Sequence, residues 1–312
     1  MKYKILITGG AGYIGSILVH DLLNKGFQVT VVDNFLYGTK SLAHLCYFKN
    51  FKIINLDIRN FYELKKHIKK NDVIIPLAGL VGAPLCDKFP QLAQEINVDA
   101  NLFLIKNLSK EQFIIMPTSN SAYGSGNNNN FCDENSSLKP LSKYAKDKVT
   151  VEEKLMKRNN SISLRLATVF GVSPRMRIDL LVNDFVYKSF FDNYLVLFEP
   201  HFKRNFVHIK DVSSVIIFMV ENFYNLKNNI YNVGLSNANI SKLELANLIK
   251  KYIKTLVIKT ENFQKDKDKR NYIVSNTKLE KTGYQMRFFL EDGIEELIKY
   301  YSCQKKYNEG NV

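Results

Sequence analysis

The chain has 312 residues, 46% of them hydrophobic, enough to bury a large core in one big domain or two interlocked ones. Its net charge of +14 (44 basic, 30 acidic) is spread along the chain with no basic arm or recognition motif, so a basic cleft for an anionic small substrate is expected and nucleic acid is not. No apolar run approaches the ~18 residues of a membrane span, the first strand runs into glycines rather than a cleavage-like site, and Cys46, Cys86, Cys132 and Cys303 lack metal-ligand spacing, which together read as a reduced cytoplasmic protein with no bound metal and no membrane partner.

The stretch 2–15, KYKILITGGAGYIG, predicts a buried strand over 3–8, a turn at Gly9, Gly10 and Gly12, and a helix opening at about Tyr13. Ile5, Leu6 and Ile7 form the continuous apolar run of a parallel strand covered on both faces. Gly9 and Gly12 let the backbone approach a ligand, and Gly15 lets the helix pack on the strand. With Tyr13 and Ile14 they form a seat for a dinucleotide phosphate at a helix N-terminus. A second strand (27–32) ends at Asp33, whose carboxylate can accept from the adenosine ribose hydroxyls and would repel a 2′-phosphate, favouring NAD over NADP. Asn34 follows it. A third strand (51–56) leads to Asp57 and Ile58, where adenine is expected to lie.

A helix (about 60–70) and a fourth strand (72–77) follow, and then Ala78, Gly79, Val81 and Gly82, small residues that with Leu77 would let the cofactor pass close to the backbone. This alternation predicts a doubly wound parallel sheet. A long helix is expected over 90–108, and a fifth strand (112–116) running into Pro117, Thr118, Ser119, Asn120 and Ser121. Polar residues at that edge sit where such sheets bind ligands. A loop is expected at 126–130. Ser142 caps a helix over 143–158 that carries Tyr144 and Lys148 on one face. A sixth strand (161–167) precedes Thr168. The fold class is therefore α/β, with a cofactor domain over 1–170 and 206–234 and a smaller interleaved substrate domain over 171–205 and 235–312. His208, on an expected buried strand, reads as structural.

Ser119, Tyr144 and Lys148 form the catalytic constellation. A phenol with a pKa near ~10 is a poor base at neutral pH, but a nearby ammonium favours the phenolate. Tyr144 would then take a proton from a sugar hydroxyl while hydride leaves the same carbon, with Ser119 orienting that oxygen and Lys148 also holding the nicotinamide ribose.

With TGGAGYIG at 8–15, VVDN at 31–34, LDI at 56–58, PLAGLVGAP at 76–84, TSNSAYG at 118–124, YAKDK at 144–148, RLATVFG at 165–171, RNFVHIKD at 204–211 and DKRNYIVSNTKLE at 268–280, the chain resembles the extended short-chain dehydrogenases/reductases that act as nucleotide-sugar epimerases and dehydratases. The resemblance implies a Rossmann-type domain, bound NAD and a nucleoside-diphosphate sugar as substrate. It also implies that Arg204 and Arg270 grip the nucleotide pyrophosphate, as guanidinium forks match phosphate oxygens. Arg175 and Arg177 would contribute, and Asn183 would hold the nucleotide or sugar. A homodimer is implied through helices near 91–108 and 143–158, with Leu92, Leu104, Val151 and Leu155 on their outer faces.

Departures narrow the reaction. Family 4,6-dehydratases carry an Asp–Glu pair where this chain has Asn120 and Ser121, so elimination lacks its proton carriers. The cysteine that 3,5-epimerase/reductases place at position 121 is absent as well. Oxidation, reduction or epimerisation at C4 remains. LVGAPLC and RLATVFGVSPRMRIDLLVNDF look more narrowly like GDP-D-glycero-D-manno-heptose 4-dehydrogenases of capsule biosynthesis, implying oxidation to a 4-keto sugar as the leading expectation, with a 4-epimerase as the alternative and a non-catalytic NAD(H) sensor as a remote one.

Overall fold

A computed structural model describes residues 2–124, 131–261 and 271–304. The loop expected at 126–130, Arg270 and the charged run around it lie outside these residues.

Seven parallel strands form the central sheet in the order β3-β2-β1-β4-β5-β7-β11. They are β1 (Lys4–Thr8), β2 (Gln28–Asp33), β3 (Phe51–Asn55), β4 (Val73–Pro76), β5 (Phe113–Ser119), β7 (Ser161–Leu166) and β11 (Asn229–Val233), with the short β6 (Phe131–Cys132) outside the sheet. The first strand shows why its apolar run is unbroken. Ile5 and Ile7 face one side, packed with Leu18 and Leu22 of α1 (Tyr13–Asn24) and with Val212 and Ile216 further along the chain. Leu6 faces the other, among Leu64, Leu104, Val151 and Leu155. Successive strand residues point to opposite faces, so a strand sandwiched between two helical layers has no solvent side.

That second layer corrects one expectation. Leu104, Val151 and Leu155 lie against the sheet at 1% exposure or less, and Leu92 packs beside the Leu80–Cys86 cluster. The residues offered as an outward dimer face are therefore used within the protomer.

The other helices of this half are α2 (Lys40–Ala43), α3 (Phe61–Ile68), α4 (Ala83–Lys88), α5 (Pro90–Ala93), α6 (Ala100–Asn107) and α7 (Lys143–Leu155). The long helix expected over 90–108 contains a π-helical segment, Gln94–Asp99. Ser142 caps α7, its hydroxyl accepting the Ala145 amide at 3.2 Å.

The smaller body contains β8 (Thr168–Phe170), β9 (Tyr194–Phe198), β10 (Lys203–His208), β12 (Asn239–Ser241), β13 (Val257–Glu261) and β14 (Ile273–Val274) in three small sheets, with α8 (Leu181–Asp192) and the helices Lys242–Tyr252 and Leu290–Ser302. The segment 206–234 does not return whole to the central sheet. Only β11 joins it, while β10 pairs in parallel with β8 and antiparallel with β12. The helix between them, α9 (Ile209–Glu221), packs against α1. His208 is buried, its Nε2 2.9 Å from Glu296, and it caps α9, in keeping with a structural role.

No described helix is long and apolar enough to cross a membrane. The four cysteines are unpaired, and the described residues hold no group of three or more metal-type ligands.

Candidate active site

The glycine turn is tighter than a ligand alone would demand. Gly9 has φ +71°, and a Cβ on it would stand 2.4 Å from the Ala78 amide nitrogen. A Cβ on Gly15 would meet Gly10 O at 2.6 Å. These glycines thus close the turn onto the end of β4 and onto the helix as well as leaving room for a cofactor. Leu77 donates to Thr8 O at 2.8 Å, which brings the 77–79 stretch beside the turn.

Asp33 holds the turn from the side. Its Oδ2 accepts the Ala11 amide at 2.9 Å and its Oδ1 the Phe35 amide at 2.8 Å. Each oxygen keeps a lone pair for a ribose hydroxyl. The glycine cradle, the N-terminus of α1 and this carboxylate fit an NAD adenosine and pyrophosphate. Asn34 is exposed and its side chain accepts the Leu36 amide. Asp57 lies just beyond β3 with Arg59 bonded to both oxygens, and those bonds hold its carboxyl below the ordinary range. Ile58 is buried beside it.

Two candidates are committed to the fold. Tyr13 Oη donates to Gly171 O at 2.7 Å, and burial pushes its phenol well up. Asn183 is fully buried, its Oδ1 accepting the Gly171 amide and its Nδ2 donating to Tyr13 Oη and Arg177 O. These bonds tie α1 to α8 and use Asn183's donors and acceptor inside the protein, which corrects its assignment to nucleotide or sugar. Ile14 packs between the two halves of the molecule. Arg177 pairs with Asp179 at 2.5 Å. Arg175 lays its guanidinium 4.0 Å over the Tyr37 ring. Arg204 is buried in β10, 6.0 Å from the Tyr272 ring, so that the strand lies beside the segment following residue 270.

Tyr144 and Lys148 share a face of α7, which packs on β5 and on the 3-10 turn Asn120–Tyr123. Tyr144 is half-buried against Leu80, Cys86 and Ala93. Lys148 Nζ lies 5.9 Å from the Tyr144 ring centre and donates to Pro117 O at 3.4 Å. Removal from water pushes this ammonium down to about 8, close to neutrality, where a proton can be taken up or given away. Ser119 Oγ accepts the Ser121 amide at 3.1 Å, leaving the hydroxyl hydrogen to donate to a substrate oxygen.

Next to Ser119, Asn120 is fully buried, and neither of its amide atoms has a hydrogen-bond partner among the described residues; nor do Ser121 Oγ or Thr168 Oγ1. The pairing of Ser119 with Leu166 sets Asn120 and Ser121 beside Ala167 and Thr168. Val81 and Gly82, with φ +97° at Gly82, lead into α4. A separate cavity of about 990 Å³ opens between α1, α9 and residues 283–288, away from these side chains.

Two supporting features were not singled out in the sequence. Glu152 lies one turn beyond Lys148 and takes hydrogen bonds from Arg165, Thr118 and Ser163. Arg165 also donates to Tyr123 Oη, which donates to Asn232. The four-residue spacing of Tyr144, Lys148 and Glu152 was a usable signal; the Arg165 partnership was not. Asn97, in the π segment, grips both the amide and the carbonyl of Leu80. π-bulges are frequent at functional sites, but nothing in INVD announces one.

The model of the NAD dependent epimerase/dehydratase family matches residues 5–234. Over 307 residues the chain is 25% identical to a Methanocaldococcus jannaschii protein provisionally named a UDP-glucose 4-epimerase, covering 95% of this chain and 97% of that one. It is 27% identical to UDP-glucuronic acid decarboxylase 1 of Arabidopsis thaliana, over 95% and 69% of the two chains. The fold matches that of a UDP-N-acetylglucosamine 4-epimerase from Methanobrevibacter ruminantium M1 with a TM-score of 0.85 at 23% identity, over 98% and 100% of the chains. With its glycine cradle, its Asp33 and its family match over most of its length, the chain belongs to the NAD-dependent epimerase/dehydratase family and is an NAD-dependent enzyme of nucleotide-sugar modification.

Proposed function

We propose that the protein is a nucleotide-sugar 4-epimerase working through a transient 4-keto sugar. NAD supplies the acceptor for hydride from C4. Tyr144 takes the C4 hydroxyl proton, Ser119 orients the same oxygen, and Lys148 keeps a positive charge near the phenol and holds the nicotinamide ribose. The keto sugar would then turn in the pocket to present its other face to the cofactor, and Tyr144 would return its proton to the C4 oxygen. Gly9, Gly12, Gly15, Ile14, Asp33, Asn34, Asp57, Ile58, Leu77, Ala78 and Gly79 hold the cofactor. Val81, Gly82, Asn120, Ser121 and Thr168 line the sugar, and Arg177, Arg204 and Arg270 serve the nucleotide.

The observation that carries this reading is the grouping of Tyr144, Lys148 and Ser119 at one sheet edge, with uncharged Asn120 and Ser121 where an elimination needs an acid and a base. Relatives named as epimerases favour interconversion over the net oxidation of a GDP-heptose to a stable 4-keto sugar. A cytoplasmic location and a homodimer built on helices α5 to α7 belong to the same proposal.

The test is a panel of UDP- and GDP-linked hexoses and heptoses, followed by mass spectrometry of cofactor released from the protein. Interconverted C4 epimers without net NADH support the reading. An accumulating ketose with NADH formed in equal amount supports the dehydrogenase instead.

A further inference from the structure

Three side chains converge on the N-terminus of α1, the proposed seat of the cofactor pyrophosphate. From the cofactor half, Asp33 accepts the Ala11 amide and Ser41 Oγ donates to Ala11 O at 2.8 Å. Both ends of the 34–40 loop are thereby anchored to the same glycine-turn residue. From the other half, Ser173 Oγ donates to Tyr13 O at 2.7 Å and lies 2.9 Å from Ser16 Oγ. The 172–180 stretch is thus anchored to the first turn of α1 from the opposite side. Between the two anchors, Arg175 crosses to Tyr37 and lays its guanidinium 4.0 Å over the ring.

We infer that Tyr37 and Arg175 form a strap across the cofactor's pyrophosphate seat, which retains NAD(H) in the protein between half-reactions. The contact joins a loop of the cofactor half to a loop of the substrate half, and both loops are anchored at the glycine turn and the first turn of α1. A guanidinium stacked on an aromatic face is attracted to it, so the contact holds the two loops together. Arg175 was expected to serve the substrate's nucleotide; its position over Tyr37 assigns it to the cofactor instead. Tyr37 itself is 47% exposed and adds little to the core, so its ring is placed to cover a ligand rather than to hold the fold. Retention matters chemically because loss of the reduced cofactor after the first half-reaction would leave the keto sugar without a hydride donor in the site. The inference rests on the NAD site and not on which sugar is turned over.

The test is release of bound NADH, chased with excess NAD and followed by loss of protein-bound NADH fluorescence. Tyr37→Ala and Arg175→Ala are each expected to release NADH about tenfold faster. Tyr37→Phe, which keeps the ring face, should match the wild type, and Arg175→Lys, which lacks the planar stack, should not. Changing both residues should fall well short of the product of the two single effects. Release from Tyr37→Ala at the wild-type rate, or fully multiplicative effects, would overturn the strap. Thermal unfolding of each variant separates release from loss of fold. The C4-epimer assay on the same preparations is read independently, so either proposal can fail while the other stands.

Discussion

Two polar regions flank Ser119, and they are built in opposite ways. On the α7 side, Arg165 and Glu152 are 3% and 4% exposed, and the carboxylate takes bonds from Arg165, Thr118 and Ser163. On the β8 side, Asn120 and Ser121 are as deeply placed and Thr168 is half-buried, and four of their polar atoms have no partner among the described residues. A buried polar group left unpaired costs about 1–3 kcal/mol, so a chain keeps one where something else completes it. The paired region is scaffold: it clamps the helix of Tyr144 and Lys148 to β5 and β7. The unpaired region is the side that a sugar or an ordered water would complete.

The contrast can be broken by substitution, and the largest effect belongs to neither region. Tyr144→Phe should lower kcat by about 10²–10⁴-fold while nucleotide-sugar binding, read by calorimetry, stays near the wild type. Near-normal turnover would remove the phenol from the mechanism. In the paired region, Glu152→Ala leaves Arg165 as an uncompensated buried charge and should cost about 3–5 kcal/mol in denaturant unfolding. An apolar replacement of both partners should cost much less.

Glu296 gives an intermediate test away from the site. Burial alone would raise its carboxyl, but bonds from His208, Lys210 and the Val172 amide hold it down to about 2. A depressed folded value means that its stabilisation is complete above the unfolded value near 4.5 and is lost as pH falls toward 2. Glu296→Gln should therefore be about 2–3 kcal/mol less stable at neutral pH, with a shallower acid limb between those values. The smallest stability change is expected in the unpaired region. Asn120→Ala should shift unfolding by less than about 1 kcal/mol, since no side-chain bond to a described residue is lost, while the thermal stabilisation given by a nucleotide sugar shrinks. A large loss of stability with unchanged sugar binding would make Asn120 scaffold like Glu152.

What was legible in the sequence was local. The run Ile5–Ile7, the glycines after it and Asp33 at the next strand end declare a strand, a turn and a carboxylate at fixed offsets, and the Tyr144–Lys148 spacing declares a shared helix face. What was not legible depended on distant partners. Nothing near Asn183 says that its amide bonds Tyr13 and Gly171, and nothing in SPRMR says that Arg175 turns toward Tyr37. Helical periodicity put Leu104 on the apolar stripe of one helix and Val151 and Leu155 on that of another but could not say whether those stripes met the sheet or a second subunit. Strand β10 looked like part of the main sheet because its apolar pattern is the same in either sheet; its pairing with β8 and β12 chose the smaller one.

The most direct measurement uses a nucleotide sugar carrying deuterium at C4, turned over with no added cofactor and followed by NMR and mass spectrometry. The expected result is interconversion of the two C4 epimers with deuterium kept at C4 in both and no NADH released. Accumulation of a 4-keto sugar, with deuterium leaving on free cofactor, would contradict a 4-epimerase that keeps its NAD.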